Sequence, residues 1–195
     1  MPGEGERLNS ILIISGQEAF TAAVRKTLAG KRLSSVDVRT NAAAGRRCLL
    51  EKDYGIVLVN CPLPDEFGHE LAMDAAERET TSVLAAVPEE VFESVLEHVT
   101  DRGVLVLPKP LAVNRLDRAV RYLFAEQAKV RHLLARIAGL TEKTEELRIV
   151  SRAKLLLMDK MHMTEDEAHR FIGKQAMNSG ISRRKAAEGI LDELE

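Results

Sequence analysis

The sequence predicts an α/β domain with a doubly wound parallel sheet, followed by a long coiled-coil helix and a small all-α module. Three observations support this prediction. Short apolar runs alternate with helical patterns in the first part of the chain, an apolar heptad spacing follows, and a helix-capping signal opens a further helical pattern near the C-terminus. We therefore divide the 195 residues into segments 1–115, 116–147 and 148–195.

The first segment contains five β/α units. The apolar runs predict strands at Ser10–Ile14, Ser35–Arg39, Ile56–Val59, Val83–Val87 and Val104–Leu107. Helices are predicted at Glu18–Leu28, Ala42–Glu51, Gly68–Glu77 and Glu89–Thr100, and another begins at Val113. This number of units is typical of a flavodoxin-like, five-stranded parallel sheet, whose ligand crevice lies at the carboxyl ends of the strands.

Composition and charge exclude several classes of protein. The chain is 45% hydrophobic and 30% charged, with a formal net charge of −2, which is typical of a globular protein. No apolar run approaches the ~18 residues needed to span a bilayer, and Met1–Arg7 does not have the pattern of a signal peptide. We expect a cytoplasmic protein that does not bind membranes.

Cysteine and histidine usage predicts no metal site and no cofactor. Cys48 and Cys61 lack the spacing of metal ligands, and the five histidines are scattered along the chain. Two such cysteines agree with a reduced, cytoplasmic setting. We recognise no nucleophile paired with a base, no phosphate-binding loop and no metal cluster, so we do not expect an enzyme.

The second segment is predicted to be helical from Leu116 to Arg152, with only Gly139 to weaken the helix. Its apolar positions alternate spacings of four and three residues, as in a coiled coil. The predicted dimer seam comprises Leu116, Val120, Leu123, Val130, Leu134 and Ile137, with polar Gln127 in the same series. The series continues at Leu140, Thr144 and Leu147 after one extra spacing of three, which predicts local overwinding of the coil.

A seam of this length is costly to expose to water, and pairing with a second copy would bury it. We therefore expect a homodimer through a parallel coiled coil. The alternative is an intramolecular fold-back, in which Gly139, Leu140 and Thr141 form a turn and the second half of the helix packs on the first.

The third segment predicts a three-helix module with very short turns. Thr164 and Glu167 have the spacing of a reciprocal capping box, which starts a helix. The inner positions of this helix are predicted to be Ala168, Phe171, Ile172 and Ala176. Asn178, Ser179 and Gly180 stop it, and Ser182 caps a third helix with Ala186, Ala187, Ile190, Leu191 and Leu194 on its inner face. Ile149, Ala153, Leu156 and Leu157 form the apolar stripe of the first helix.

These residues resemble a known family. The pairs Ala153 and Lys154, Leu157 and Met158, Glu167 and Ala168, and Ala176 and Met177, together with Thr164, Ile172 and Ala187, are similar to the ANTAR module, a three-helix RNA-binding output domain of bacterial regulators. Leu155 departs from the family's usual glycine, and His169 from its usual aromatic residue. The resemblance implies binding to paired short RNA hairpins and control of transcription termination, and hence an antitermination regulator.

The module has a basic surface that suits a phosphate backbone. Between Arg148 and Lys185 there are nine Lys and Arg side chains against four acidic ones. The residues we expect to contact RNA are Arg152, Lys154, His169, Arg170, Lys174, Arg183, Arg184 and Lys185. Two other functions stay open: a DNA-binding response regulator with a helix-turn-helix, and an adaptor that binds only proteins.

The first segment also resembles a family, the receiver domain of two-component response regulators. Asn60 at the end of the third strand is followed by Pro64 and Gly68, the receiver spacing of phosphoacceptor, proline and glycine. After the fifth strand, Lys109 stands in the motif that carries the phosphate-contacting lysine of the family.

The chemistry of a receiver is missing from these positions. A receiver holds Mg²⁺ with carboxylates and uses an aspartate nucleophile. Here the acceptor position is the neutral Asn60, Ser15 and Gly16 stand where the family has an acidic pair, and Ala86 stands where it has a hydroxyl. We therefore predict a pseudo-receiver that is not phosphorylated and is controlled by a regulatory protein or a small ligand.

Three details complete the prediction for this site. We expect Lys109 to donate a hydrogen bond to the side-chain oxygen of Asn60 in place of an aspartate. The resemblance implies a cis peptide bond between Lys109 and Pro110. Asp65, one turn beyond Asn60, is the alternative phosphoacceptor.

Overall fold

The computed structural model describes residues 9–194, so the prediction made for Met1–Arg7 lies outside the described residues. Five parallel strands form a single sheet in the order β2-β1-β3-β4-β5. They are β1 Ser10–Ile14, β2 Ser35–Arg39, β3 Ile56–Asn60, β4 Ser82–Pro88 and β5 Val104–Lys109. The predicted strands are therefore confirmed, with ends extended by one or two residues at β3, β4 and β5.

Seven helices accompany the sheet in the described part of the chain. They are α1 Glu18–Leu28, α2 Ala42–Glu51, α3 His69–Ala76, α4 Phe92–Val99, α5 Val113–Met161, α6 Glu165–Ser179 and α7 Arg183–Leu194. Short 3₁₀ turns at Glu89–Val91 and Thr100–Arg102 flank α4 and account for the longer helix predicted there. No helix between residues 9 and 194 combines the length and the apolar character needed to cross a membrane.

The two faces of the sheet bury separate apolar cores, as expected of a doubly wound fold. On one face, Leu49 of α2, Leu71 of α3 and Val95 of α4 pack with the strands. On the other face, Phe20 of α1 and Leu116 of α5 pack with β1, β3 and β4. This second face holds α1 and the beginning of α5 side by side over the same strands.

The first part of the predicted dimer seam on helix α5 is buried within the domain. Leu116, Val120 and Leu123 are buried in the core between α5 and the sheet, so they are not free to pair with a second copy. The polar residue of the series, Gln127, is buried too and donates hydrogen bonds to the carbonyl of Thr80 at 3.0 Å and to the hydroxyl of Ser82 at 2.9 Å. A heptad spacing fixes which face of a helix is apolar but not which surface covers it.

The rest of the seam leaves the domain core. Leu134 is half-buried, and beyond it Ile137, Leu140 and Leu147 are 58%, 63% and 61% exposed. The helix runs without a break through Gly139, so the turn of the fold-back alternative is not present. A compact N-terminal unit ends at His132 and a second unit begins at Leu133, which lies beyond the boundary that we predict at residue 115.

The second unit has the three helices predicted for it. The final turns of α5 form the first helix, and α6 and α7 follow after short connections. Helix α5 ends next to His162, which has a left-handed conformation with φ of 54°. Ala153, Leu157, Ala168, Ile172 and Ala187 are all buried, and alanine at so many core positions lets the helix backbones approach closely.

Candidate functional site

The capping box predicted at the start of α6 is present. The backbone N–H of Glu167 donates to the hydroxyl of Thr164 at 3.4 Å, and the backbone N–H of Thr164 donates to the Glu167 carboxylate at 2.9 Å. At the other end, Gly180 adopts the left-handed conformation with φ of 63°. Ser182 accepts a hydrogen bond from the N–H of Lys185 at 3.3 Å and caps α7. Both ends of helix α6 are therefore fixed.

Arg170 and Lys174 form an exposed basic stripe on α6. They are four residues apart, a spacing that places two side chains next to each other on a helix. The buried residues Ala168 and Ile172 lie on the opposite side of the helix. Lys174 forms no ion pair within residues 9–194. On α6, this stripe is where the positive charge of the predicted surface is open to solvent.

Lys154 is already engaged by an acidic partner. Its ammonium group donates to a carboxylate oxygen of Glu165 at 2.6 Å, which links the last turns of α5 to the first turn of α6. This hydrogen bond and the positive charge of Lys154 hold the pKa of Glu165 below its usual range. A phosphate group therefore competes with Glu165 for Lys154.

The remaining predicted cations and His169 differ in their partners. On α7, Arg184 pairs with Glu188 at 2.8 Å, whereas Arg183 and Lys185 are exposed and form no ion pair with another described residue. Arg152 is exposed and has an interaction partner. His169 is exposed on α6, four residues after Glu165.

Phe171 is not the core residue that the spacing predicts. It is 36% exposed and lies on α6 one and three residues from the members of the basic stripe. The helix packs chiefly through Ala168, Ile172 and Ala176, which are four residues apart and lie on one side of the helix. The sequence did contain a signal for this outcome, because Ala168, Ile172 and Ala176 at spacings of four already form a complete apolar face without Phe171.

The second candidate site lies at the carboxyl ends of β1, β3 and β5. Asn60 ends β3 and is fully buried. Its side-chain NH₂ donates to the Ser15 hydroxyl at 2.9 Å and to the side-chain oxygen of Gln17 at 3.3 Å. The Ser15 hydroxyl in turn donates to the carbonyl of Gln17 at 3.0 Å. The predicted site residues Ser15 and Asn60 are therefore brought into direct contact.

The neighbouring positions do not supply the ligands of a receiver. Gly16 lies against Pro64, and a Cβ atom built on it would be only 2.7 Å from a ring carbon of that proline, so an acidic side chain does not fit without displacing Pro64. Ala86 is buried and pairs in register with Asn60. Mg²⁺ prefers carboxylate oxygens, and the amide, hydroxyl and methyl groups found here do not suit it.

Lys109 has a different hydrogen-bond partner from the one predicted. Its ammonium group donates to the carbonyl of Cys61, and the side-chain oxygen of Asn60 has no partner among the described residues. The ammonium group is partly buried, and burial lowers its pKa. Burial also raises the pKa of the Cys61 thiol, to about 12, so the thiol stays neutral. The Lys109 to Pro110 peptide bond is cis, as expected, and a second cis bond joins Cys61 to Pro62.

Asp65 has a structural partner that the sequence did not reveal. Its two carboxylate oxygens accept the backbone N–H groups of Ala42 at 2.8 Å and Ala43 at 2.9 Å. These two hydrogen bonds keep the pKa of Asp65 below its usual range. The carboxylate therefore caps the start of α2, a use that differs from the alternative acceptor role considered above.

Comparisons with known proteins agree with both halves of the fold. Residues 138–191 match the model of the ANTAR domain. The chain is 28% identical over 142 residues to the transcriptional regulatory protein PdtaR of Mycobacterium tuberculosis, a match that covers 71% of this chain and 68% of that protein.

Solved receiver domains share the N-terminal fold. A CheY-like receiver domain from Methanospirillum hungatei is 20% identical, with a TM-score of 0.54 over 62% of this chain and 97% of that one. A signal receiver domain from Pseudomonas fluorescens is 18% identical, with a TM-score of 0.55 over 65% of this chain and 93% of that one. The chain therefore combines an N-terminal domain with the fold of a receiver and a C-terminal segment that matches the ANTAR domain.

Proposed function

We propose that this protein is an RNA-binding transcription antitermination regulator that binds paired RNA hairpins as a homodimer. The observation that carries the proposal is the exposed stripe of Arg170, Phe171 and Lys174 on α6 of the ANTAR domain. Cations bind the phosphates of a hairpin stem, and an exposed aromatic ring stacks on an unpaired base of its loop. The protein would act where transcripts are made, in the cytoplasm.

Arg183 and Lys185 of α7 supply further exposed positive charge in the same domain. Lys154 and Arg184 contribute less, because RNA competes with Glu165 and Glu188 for them. We propose that Arg152 and His169 lie at the edge of the contact surface. In the absence of RNA, the surface thus combines cations without an ion pair among the described residues and cations that form ion pairs with acidic side chains.

We propose that dimerisation uses only the later part of the seam. Val130, Leu134 and Ile137, continued by Leu140 and Leu147, present apolar side chains that are half-buried or exposed in a single chain. Burying them against a second copy removes apolar surface from water. Two ANTAR domains held by one seam can each bind one hairpin of a paired RNA.

The receiver-like domain in this proposal is not switched by phosphorylation. Asn60 is neutral, and the residues around it provide no carboxylate pair for Mg²⁺. Incubation of the full-length protein with acetyl phosphate and Mg²⁺ should leave its mass unchanged. A stable increase by the mass of one phosphoryl group that maps to residues 1–132 would contradict this part of the proposal.

The RNA-binding proposal is tested by crosslinking the purified protein to cellular RNA and sequencing what is recovered. The expected result is enrichment of transcripts that contain two neighbouring hairpins. A labelled RNA of this kind should then resist competition by duplex DNA. Efficient competition by duplex DNA would favour the DNA-binding alternative, and a failure to recover RNA would favour the protein adaptor.

A further inference from the structure

A cavity of about 670 Å³ opens beside Asn60 in the receiver-like domain. It lies between α1 and the beginning of α5, at the carboxyl edge of the sheet. Most of its wall is apolar and is formed by Phe20 and Ala23 of α1, Leu111 of the loop that precedes α5, and Val113 and Leu116 of α5. Its volume falls within the range of small-molecule sites, roughly 300 to 1,000 Å³.

A buried hydrogen-bond acceptor lies in the wall of this cavity. The side-chain oxygen of Asn60 is buried and has no partner among residues 9–194. In the structure the Ser15 hydroxyl donates to the carbonyl of Gln17 and accepts from the Asn60 NH₂, which directs the side-chain oxygen of Asn60 away from Ser15. A buried acceptor left without a donor is unfavourable, so a ligand with an N–H or O–H group gains affinity here.

An unneutralised cation lies in the same wall. Lys109 is partly buried, and its ammonium group donates to the carbonyl of Cys61 but forms no ion pair with another described residue. Asn60, which replaces an acidic residue of the receiver pattern, does not neutralise it. Two donor hydrogens of the ammonium group stay available for an anionic ligand.

The mouth of the cavity limits how much negative charge a ligand can carry. Glu89 and Glu90 line the cavity and are exposed, and Lys26 is the exposed cation among its lining residues. Two carboxylates repel a ligand that carries several phosphate groups, whereas a single carboxylate that reaches the more deeply placed Lys109 avoids most of this repulsion. Together with the apolar wall, this favours a small monoanion.

We propose that this cavity binds a small organic acid, with an apolar body against α1 and α5, a carboxylate on Lys109 and one N–H or O–H donor on Asn60. The proposal rests on the proposed function in one respect, namely that phosphate does not control this domain. Helix α5 lines the cavity and continues to Met161. A bound ligand therefore contacts the same helix that supplies the first helix of the ANTAR domain.

The test is a titration of the full-length protein with indole-3-carboxylate, which has a flat apolar body, one carboxylate and one N–H. The chain contains no tryptophan, so the fluorescence of the indole ring reports binding without background from the protein. We expect saturable binding with a Kd of about 1 mM or tighter. 1-Naphthoate, which lacks the donor, and indole, which lacks the carboxylate, should each bind about tenfold more weakly.

Substitutions locate the site. Ala23→Leu narrows the cavity and should weaken binding about tenfold or more, whereas Ala22→Leu, on the exposed side of α1 and outside the cavity, should leave the affinity unchanged. Asn60→Leu should abolish the preference for indole-3-carboxylate over 1-naphthoate. Lys109→Met should abolish the preference for indole-3-carboxylate over indole. This variant tests the same site if the Asn60 variant does not fold.

Two results would overturn the proposal. One is the absence of saturable indole-3-carboxylate binding up to about 10 mM, a concentration well above the expected Kd. The other is equal binding by the wild-type protein and the Ala23→Leu variant. Both are read directly as ligand affinity, whereas the mass measurement with acetyl phosphate reads a covalent change, so a failure here is distinguishable from a failure of the proposed function.

Discussion

Glu165 controls how much of the charge of Lys154 reaches the solvent. The ion pair between them has its two charged groups 2.6 Å apart, and the Lys154 side chain keeps about a fifth of its surface exposed. Similar competition acts on Arg184 through Glu188. At the scale of single residues, the proposed RNA surface therefore depends on its acidic neighbours as well as on its cations.

Glu165→Gln should strengthen RNA binding. The substitution removes the acidic partner of Lys154, so phosphate no longer competes with a carboxylate. Exposed ion pairs are weak, and we expect a gain of about two- to fivefold in affinity, measured by fluorescence anisotropy with labelled hairpin RNA. Glu193→Gln on α7, an acidic residue without an ion pair among those described, is the control of equal charge change. Equal gains for the two variants would show that only net charge matters.

Phe171→Ala should weaken RNA binding by about tenfold, as expected when a stacked base loses its aromatic partner. The dependence of affinity on salt should stay unchanged, because the ring neutralises no phosphate. Met177→Ala removes another exposed apolar side chain of α6 and should have little effect. A Phe171 variant that binds RNA as tightly as the wild type would contradict the proposed stacking contact.

The residues of the two candidate sites also show how much of a site can be predicted from sequence. The sequence identified the cations of the ANTAR domain and the lack of a phosphoacceptor at Asn60. It did not predict that Glu165 pairs with Lys154, since the two are eleven residues apart on different helices. Nor did it predict that Lys109 bonds the carbonyl of Cys61 and leaves the Asn60 oxygen without a donor, because hydrogen-bond geometry follows from tertiary packing.

At the scale of elements, the capping box makes the stability of α6 depend on pH. The backbone N–H and the hydroxyl of Thr164 hold the pKa of Glu167 below its usual range. A carboxyl with a lowered folded-state pKa contributes stability above its unfolded pKa of about 4.3, and this contribution is lost as the pH falls through the folded pKa.

The pH dependence can be isolated with Glu167→Gln. Glutamine keeps the capping geometry but does not titrate. Thermal melts followed by circular dichroism should show the wild type losing stability relative to this variant as the pH falls from about 5 to 3. Because Glu165 is present in both proteins, its own titration cancels in the comparison. Parallel curves would contradict a role for the Glu167 carboxylate.

Helix α5 is the element that the sequence predicted only in part. The spacing correctly indicated an apolar face from Leu116 onward and a helix that passes Gly139. It did not reveal that the first half of this face is covered by the chain's own sheet. Gln127 was the sequence signal for this packing, because a polar residue in an apolar series can mark a hydrogen bond inside a domain rather than a position in a coiled coil.

Ile137→Glu and Leu140→Glu should each convert a dimer into a monomer, since both place a charge in the exposed part of the proposed seam. Light scattering at micromolar concentration measures the change. Arg136→Glu adds negative charge at a neighbouring exposed position and should leave the dimer intact. A monomeric wild type would contradict dimerisation through this helix, and dimeric variants would move the interface elsewhere.

At the scale of the whole molecule, the chain joins a receiver-like domain to an ANTAR domain through one helix, α5. The fold of each domain was predictable, because β/α alternation and alanine spacing are local patterns with one common solution. The cavity beside Asn60 was not, since its walls come from α1, β3 and α5, which lie far apart in the sequence. We therefore propose that the receiver-like domain receives the signal and the ANTAR domain binds RNA.

The salt dependence of RNA binding tests the central claim most directly. The double substitution of Arg170 and Lys174 by Gln should reduce the slope of log K against log salt by about 1.4 to 1.8 for each ANTAR domain that contacts RNA. A paired-hairpin RNA recovered by crosslinking should show about twice the reduction of a single hairpin. The control replaces Arg115 and Arg118, exposed residues of the receiver-like domain, by Gln and should leave the slope unchanged. An unchanged slope for the Arg170 and Lys174 variant would contradict RNA binding through α6.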